Sequence, residues 1–236
     1  MIDFIRLKDE ARQFNVELDD VKCKQFDEYA KLLVEKNKVM NLTGITEPDA
    51  IVTRHFADSL SFFYNLDVKQ NAKIIDVGSG AGFPGLALKI ARPDLKLTLL
   101  DSTAKRVNFL SQVAQSLDLD VECVHLRAED GAKMPQYREQ FDLATARAVS
   151  EMRVLCEYCL PFVKVGGLFV ALKGKDINEE LSSAKNSIAV LGGEFLSKTD
   201  FRLNDESERN IVLVKKISQT PPKYPRVSAQ IAKKPL

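Results

Sequence analysis

The residues best able to do chemistry gather around one stretch, Ile74 to Gly85, which reads IIDVGSGAGFPG. Gly80, Gly82 and Gly85 fit GxGxxG by letter, and Asp101 follows at about the distance of a ribose-binding acid. Glycines there let the backbone approach a ligand closely, because no side chain intervenes. The letters alone suit a dinucleotide whose pyrophosphate rests on the helix N-terminus. Three features point elsewhere. Asp76 stands ahead of Gly78, where a carboxylate faces a pyrophosphate badly but suits a ligand with a cationic end. Glu129 and Asp130 follow a later hydrophobic run, where an acceptor can read an adenine amino group. The chain closes on a hairpin instead of the parallel strands that a second mononucleotide half needs. A ligand carrying a sulfonium, an ammonium, two ribose hydroxyls and an adenine meets all three conditions, and S-adenosyl-L-methionine is that ligand. Loop amides from Gly78 through Gly80 to Gly82 then lie against it, and Asp101 accepts from both ribose hydroxyls. Phe83 packs either on its apolar flank or in the core.

These residues need a frame, and the hydrophobic pattern predicts one. Residues 1–70 read as a helical extension: Phe26, Tyr29, Ala30, Leu33 and Val34 recur at helical spacing, and Thr46 with Pro48 and Asp49 reads as an N-cap opening AIVTRHFADSLSFFYNL. Residues 71–218 read as an α/β core. AKIIDV, LKLTLLD, VECVHLR, FDLATARA and GGLFVALKG are strands, and FPGLALKIAR and AKRVNFLSQVAQSL are helices between them. Such alternation implies right-handed crossovers and a parallel sheet covered on both faces. After the helical NEELSSAKNSIAVLG, the runs EFLSKTDFRL and NIVLVKKI flank the short turn NDESER, so the last strand is expected antiparallel in an otherwise parallel sheet.

Residues 219–236 form a basic tail. From Ile211 to Leu236 six basic residues (Lys215, Lys216, Lys223, Arg226, Lys233, Lys234) occur without one acid, which suggests either a phosphate-binding edge or a solvated run. The net charge of +1 otherwise does not advertise nucleic acid. No run approaches the ~20 apolar residues of a membrane span and the N-terminus lacks a signal-peptide pattern, so a cytoplasmic monomer is expected. Cys156 and Cys159 have zinc-like spacing, but no second pair completes a ligand set; reduced core thiols and no metal are expected.

NLTGI, RHFADSL, DVGSGAGFPGLALKI, AKRVNFL, AED, ARAV, the lysine of ALKG and TPPKYPR occur in this order. Together they resemble the bacterial small-subunit rRNA guanine-N7 methyltransferase family, also called glucose-inhibited division protein B. The likeness spans nearly the whole chain. It implies a class I, Rossmann-like methyltransferase with a seven-stranded, mostly parallel sheet. It also implies methyl transfer from S-adenosyl-L-methionine to N7 of a guanine in the 530 loop of 16S rRNA, on the small ribosomal subunit or its precursor. The cofactor positions carried over are Gly78, Phe83, Asp101, Ser102, Thr103, Ala128, Glu129 and Arg147. One departure is visible: the family tail commonly reads PRKxGTPxKxPL, whereas here Ala229, Gln230 and Ile231 replace its glycine, threonine and proline.

Guanine N7 carries an in-plane lone pair and no proton, so attack on a methyl group needs no general base. The absence of any Ser-His-Asp or Cys-His pattern agrees with that chemistry. Arg147 is the foremost positioning candidate. It could hold a phosphate or the guanine O6 edge, brace Glu129 or the cofactor, or form a structural ion pair. Lys105 and Arg106 open a helix against its dipole, which suggests a phosphate or a carboxylate partner. Arg54, Lys173 and Arg226 are further RNA candidates. His55, Asp58 and Ser59 share a helix face and read as bracing, and His125 reads as a core or sheet-face residue. Two other readings stay open: an NAD-linked oxidoreductase, and a non-catalytic RNA-binding factor that retains the fold.

Overall fold

The structure is a computed structural model describing residues 1–236. Seven strands form one sheet in the order β3-β2-β1-β4-β5-β7-β6: β1 Lys73–Val77, β2 Lys96–Asp101, β3 Val121–His125, β4 Phe141–Arg147, β5 Val163–Lys173, β6 Gly193–Arg202 and β7 Glu208–Lys216. Strands β1 to β5 pair parallel with one another. β7 inserts antiparallel between β5 and β6, as the hairpin reading predicts. β1, β2 and β4 sit between neighbours with helices on both sides, which is why their apolar runs are nearly continuous.

Each face of the sheet carries its own core. On one face the N-terminal helices, the helix Gly85–Ala91 and the helix Ala104–Ser116 pack Leu7, Phe26, Phe56, Leu86 and Leu110 against Ile74, Leu97 and Val170. The helical extension thus shares one continuous core with the sheet. On the other face the helix Met152–Cys159 and the short helices Asn178–Ser183 and Lys185–Val190 cover Ile75, Val77, Ala144 and Val212. Cys156 and Cys159 are buried there as free thiols, and burial pushes the Cys156 thiol up to about 12.

Local chemistry accounts for the helical extension. Asp3 caps Phe4–Arg12 by accepting from the Ile5 and Arg6 amides, and Asp19 caps Asp20–Met40 through the Lys22 amide. The latter helix ends at Asn41 in the left-handed conformation, which Asn tolerates well. The run through RHFADSL departs from expectation. Glu47, not Thr46, is the N-cap, and it gives no side-chain bond; Pro48 takes the first helical position, where its missing N–H costs nothing. After one α-turn, Val52–Ala57 widens into a π-helix before Asp58–Leu60 resumes the α form. No helix is long and apolar enough to cross a membrane.

Antiparallel β7 ends at the rim where the parallel strands begin, so the tail starts at the far end of the sheet from the glycine loop. It is tied down there. Lys216 is completely buried and donates to the Leu160 carbonyl at 2.8 Å and to Thr220 Oγ1, with Glu139 at 3.1 Å; burial brings its ammonium down to about 8. Arg138 donates to the carbonyls of Thr220 and Tyr224. Arg226 grips Glu157, which is fully buried, through Nε at 2.8 Å and Nη2 at 2.6 Å. Of the six cations between Ile211 and Leu236, Lys216 and Arg226 are thus engaged as internal staples, while Lys223, Lys233 and Lys234 are exposed.

Candidate functional site

The C-terminal ends of β1, β2, β3 and β4 meet at one rim, the place where open α/β sheets bind ligands. The loop after β1 runs through Gly78, Gly80 and Gly82 at φ +76°, +59° and +103°, conformations that side chains disfavour. It is held by its own amides. Gly78 and Ser79 donate to the Leu100 carbonyl, Gly80 to Asp101 Oδ2 at 2.9 Å, Gly82 and Phe83 to the Ser79 carbonyl, and Gly85 to Asp76 Oδ2 at 2.9 Å. Pro84 has no N–H, so only the Ala81 amide lacks an internal acceptor. A pyrophosphate cradle needs several free amides, and this loop does not offer them.

Asp76 is turned inward, a correction to the expectation that it faces the ligand. In β1 it is in phase with Ile74 and points under the first residue of the helix Gly85–Ala91. It is completely buried, Oδ1 has no partner, and burial raises its carboxyl to about 7. The start of the helix, where a dinucleotide would place phosphate, already holds an acid of the chain. A Cβ at Gly85 would come within 2.8 Å of Asp76 Oδ2, so this arrangement requires glycine. Gly82 is as constrained: a Cβ would overlap Tyr29 Oη and stand 2.6 Å from Leu86. Gly82→Ala is expected to destabilise the protein by about 2–4 kcal/mol through overlap and backbone strain, read as a lower urea midpoint.

Two further acids, Asp101 and Glu129, lie along the rim. Asp101 is almost wholly buried; Oδ1 accepts from Thr103 N–H at 2.8 Å, and Arg106 lies 3.7 Å from Oδ2. A carboxylate has about four lone-pair sites, so two accepted amides leave capacity for two hydroxyls. Arg106 is thus supplied with the carboxylate partner its position called for, while Lys105 is exposed and unpaired. Ser102 and Thr103 are exposed beside it. Ala128 and Glu129 begin the short helix after β3, and Glu129 is buried without any hydrogen bond inside the chain. The face of Gly80 is open, since a Cβ there would meet nothing closer than 3.9 Å. An open loop face between two carboxylates, with no anion cradle, fits an adenosyl group bearing positive charge and no phosphate. Val149 roofs the loop at Gly78, where a Cβ would lie 2.8 Å from its methyl.

Phe83 takes the packing alternative. It is stacked on Tyr29 at 5.2 Å and on His55 at 4.4 Å between centroids, with the Arg147 guanidinium 4.9 Å from its ring centre. Arg147 donates from Nη1 to Asp58 Oδ2 at 2.8 Å and from Nη2 to His55 Nδ1 at 3.4 Å. A guanidinium can only donate, so His55 Nδ1 is an acceptor, the proton sits on Nε2, and Nε2 donates to Thr43 Oγ1 at 2.8 Å. Burial, reinforced by Arg147, lowers the imidazole to about 3. Because the folded value lies below the ordinary one near 6.5, the stability from neutral His55 is intact above pH 6.5 and lost progressively as pH falls toward 3. Replacing His55 by Gln is expected to flatten the fall of the denaturation midpoint between pH 6 and 4 relative to the wild type.

Beside this stack is a cleft of about 410 Å³ lined by Arg54, His55, Asp58, Arg147, Lys173 and Arg209 among others. Arg54 is half exposed and pairs with Asp205 at 2.5 Å. Lys173 reaches the cleft but is already engaged with Glu180 at 2.6 Å and the Ser150 carbonyl at 2.8 Å. Arg226 lies at the opposite rim and is withdrawn from the site. His125 is exposed, not core, with Nε2 3.2 Å from the Ser102 carbonyl. Arg209, Tyr29 and Val149 belong to the site but were not predicted. The hairpin reading contains the signal for Arg209, since an antiparallel last strand begins at the active rim.

The sequence pattern described as GidB, rRNA small subunit methyltransferase G, matches residues 22–212. The chain belongs to that family. A ribosomal RNA small subunit methyltransferase G of Alkaliphilus metalliredigens is 46% identical over 232 residues, covering 98% of this chain and 97% of its own. One from Brevibacillus brevis is 49% identical over 223 residues, 94% of each chain. Among solved structures, a putative methyltransferase from Bacillus halodurans aligns over 69% of this chain and 100% of its own with a TM-score of 0.54 at 13% identity. TrmN from Thermus thermophilus aligns over 70% of this chain and 53% of its own at 0.53, also at 13% identity. The methyltransferase G sequence pattern takes in the glycine loop, Asp101, Glu129 and Arg147, whereas the tail falls outside it.

Proposed function

We propose that this chain is an S-adenosyl-L-methionine-dependent methyltransferase of 16S rRNA, acting in the cytoplasm on N7 of a guanine in the 530 loop. The observation that carries the reading is the rim itself: an open glycine loop whose amides, Ala81 apart, are occupied, set between Asp101 and Glu129 and next to a cationic cleft. Family membership over most of the chain supports the rRNA substrate.

When bound, S-adenosyl-L-methionine supplies a methyl group on a sulfonium that departs as a neutral thioether. Asp101 holds the ribose hydroxyls, Glu129 accepts from the adenine amino group, and the loop from Gly78 to Gly80 provides the surface on which both lie. The chain need not move a proton. His55, the nearest imidazole, has both nitrogens engaged and too little basicity near neutrality to act as a base. What the residues contribute is alignment, for which well-oriented reactions gain about 7–11 kcal/mol. Arg54, Arg147 and Arg209 face the nucleotide from the cleft. Arg147 meets a phosphate or O6, since a bond to N7 would block the attacking lone pair.

Purified protein, labelled S-adenosyl-L-methionine and small subunits from cells lacking the gene provide the test. Nucleoside digests should contain label in 7-methylguanosine at one site; label in another nucleoside, or none, overturns the reading.

A further inference from the structure

We infer that the N-terminal motifs NLTGI and RHFADSL act as a positioning set for Arg147, with Asp58 and neutral His55 fixing its guanidinium and Arg209 fixing Asp58. This rests on the proposed role of Arg147 at the nucleotide.

The guanidinium is addressed from three directions. Asp58 Oδ2 accepts from Nη1 at 2.8 Å, His55 Nδ1 faces Nη2 at 3.4 Å, and the Phe83 ring centre lies 4.9 Å from its carbon. The π-helix adds a fourth element, because the carbonyls of Arg54 and His55 both stand 3.3 Å from Nη1. Asp58 is itself fixed: its other oxygen accepts from Arg209 Nε at 2.9 Å, and its side chain is only 10% exposed. One carboxylate from the helical extension thus joins arginines on β4 and β7, the two strands flanking β5.

The His55 arm is built to accept. Thr43 Oγ1 takes the Nε2 proton at 2.8 Å and also accepts from Ile45 N–H at 3.0 Å, which sets the hydroxyl within NLTGI. With Nε2–H committed, Nδ1 presents a lone pair to Arg147. The relay Thr43–His55–Arg147 therefore links the two motifs to the rim residue. A free arginine side chain loses rotamer freedom when it is held, and ordering it before substrate arrives removes that cost from the reactive complex.

The test compares Asp58→Asn, His55→Gln, Arg209→Lys and Arg147→Lys in the holoenzyme reaction, with melting temperatures taken for each. Misplacing a positioning group costs on the order of 10- to 100-fold in turnover. Asp58→Asn should therefore lower kcat on that scale while KM for S-adenosyl-L-methionine moves less than about threefold, the pattern of an interaction made in the transition state. The Asp58→Asn/Arg147→Lys double variant should be little worse than the worse single variant. Nitrogen-15 spectra should show a neutral histidine with the proton on Nε2, assigned to His55 through His125→Gln, since the chain has two histidines. If Arg147→Lys loses turnover while Asp58→Asn and His55→Gln keep it, the positioning inference falls and the function stands. Additive losses, or losses wholly explained by unfolding, overturn it as well. If Arg147→Lys turns over normally, the assigned role of Arg147 fails, and the inference with it.

Discussion

Replacing Asp101 by Ala is expected to lower the affinity for S-adenosylhomocysteine at least about 100-fold, measured by titration calorimetry. The carboxylate does two jobs in the proposed complex. It holds the loop through Gly80 and turns the start of the next helix through Thr103, and it accepts from the two ribose hydroxyls. Hydrogen bonds to a charged group contribute about 1.5–3 kcal/mol each, so losing two such bonds to ligand exceeds the 2.7 kcal/mol that a factor of 100 represents. Asp101→Asn retains one acceptor and should lose less. Affinity within threefold of wild type in Asp101→Ala would remove ribose recognition from this residue and move the cofactor elsewhere.

Arg226→Ala is expected to cost about 3–5 kcal/mol of stability, because it leaves a buried carboxylate without its partner. Glu157 is fully buried, and its side-chain partners are the Arg226 amide and guanidinium. The same substitution distinguishes the two readings of the tail. A cation that only touches rRNA would leave the urea midpoint in place and reduce the salt dependence of binding by about one unit of slope. A large drop in the midpoint for Arg226→Ala, together with recovery when Glu157 is also replaced by an apolar residue of similar size, identifies a staple.

These two residues show what a single sequence makes legible. Strands and crossovers follow from short-range apolar periodicity, and β1 through β7 stand where the pattern puts them. Asp101 is readable because it ends a strand next to the loop. The inward turn of Asp76 was readable too: alternation places it in phase with Ile74, on the side of the first crossover helix. The placement of the tail was not read because composition records charge without direction, although the parity of the last strand already sends it to the far rim. His55 and Asp58 resisted for a different reason. An α-helical period aligns them with each other, but the π-turn lets Arg147 come between them, and Arg209 arrives from a distant strand. No local pattern encodes that meeting.

The inward Asp76 has a further consequence for selectivity in a crowded mixture of metabolites. Most adenosine in a cell travels attached to phosphates, as nucleotides and dinucleotides far more abundant than a methyl donor. A pocket that recognised adenosine alone would be flooded by them. Here the helix start that attracts phosphate in other nucleotide sites carries a resident carboxylate, and the neighbouring amides are already engaged. In the proposed complex, a phosphate at the helix start would meet loop amides that, Ala81 apart, are already engaged, and the buried acid side chain of Asp76. On the proposed reading, the engaged backbone of the loop would disfavour such anions before any contact with the transferred group is made.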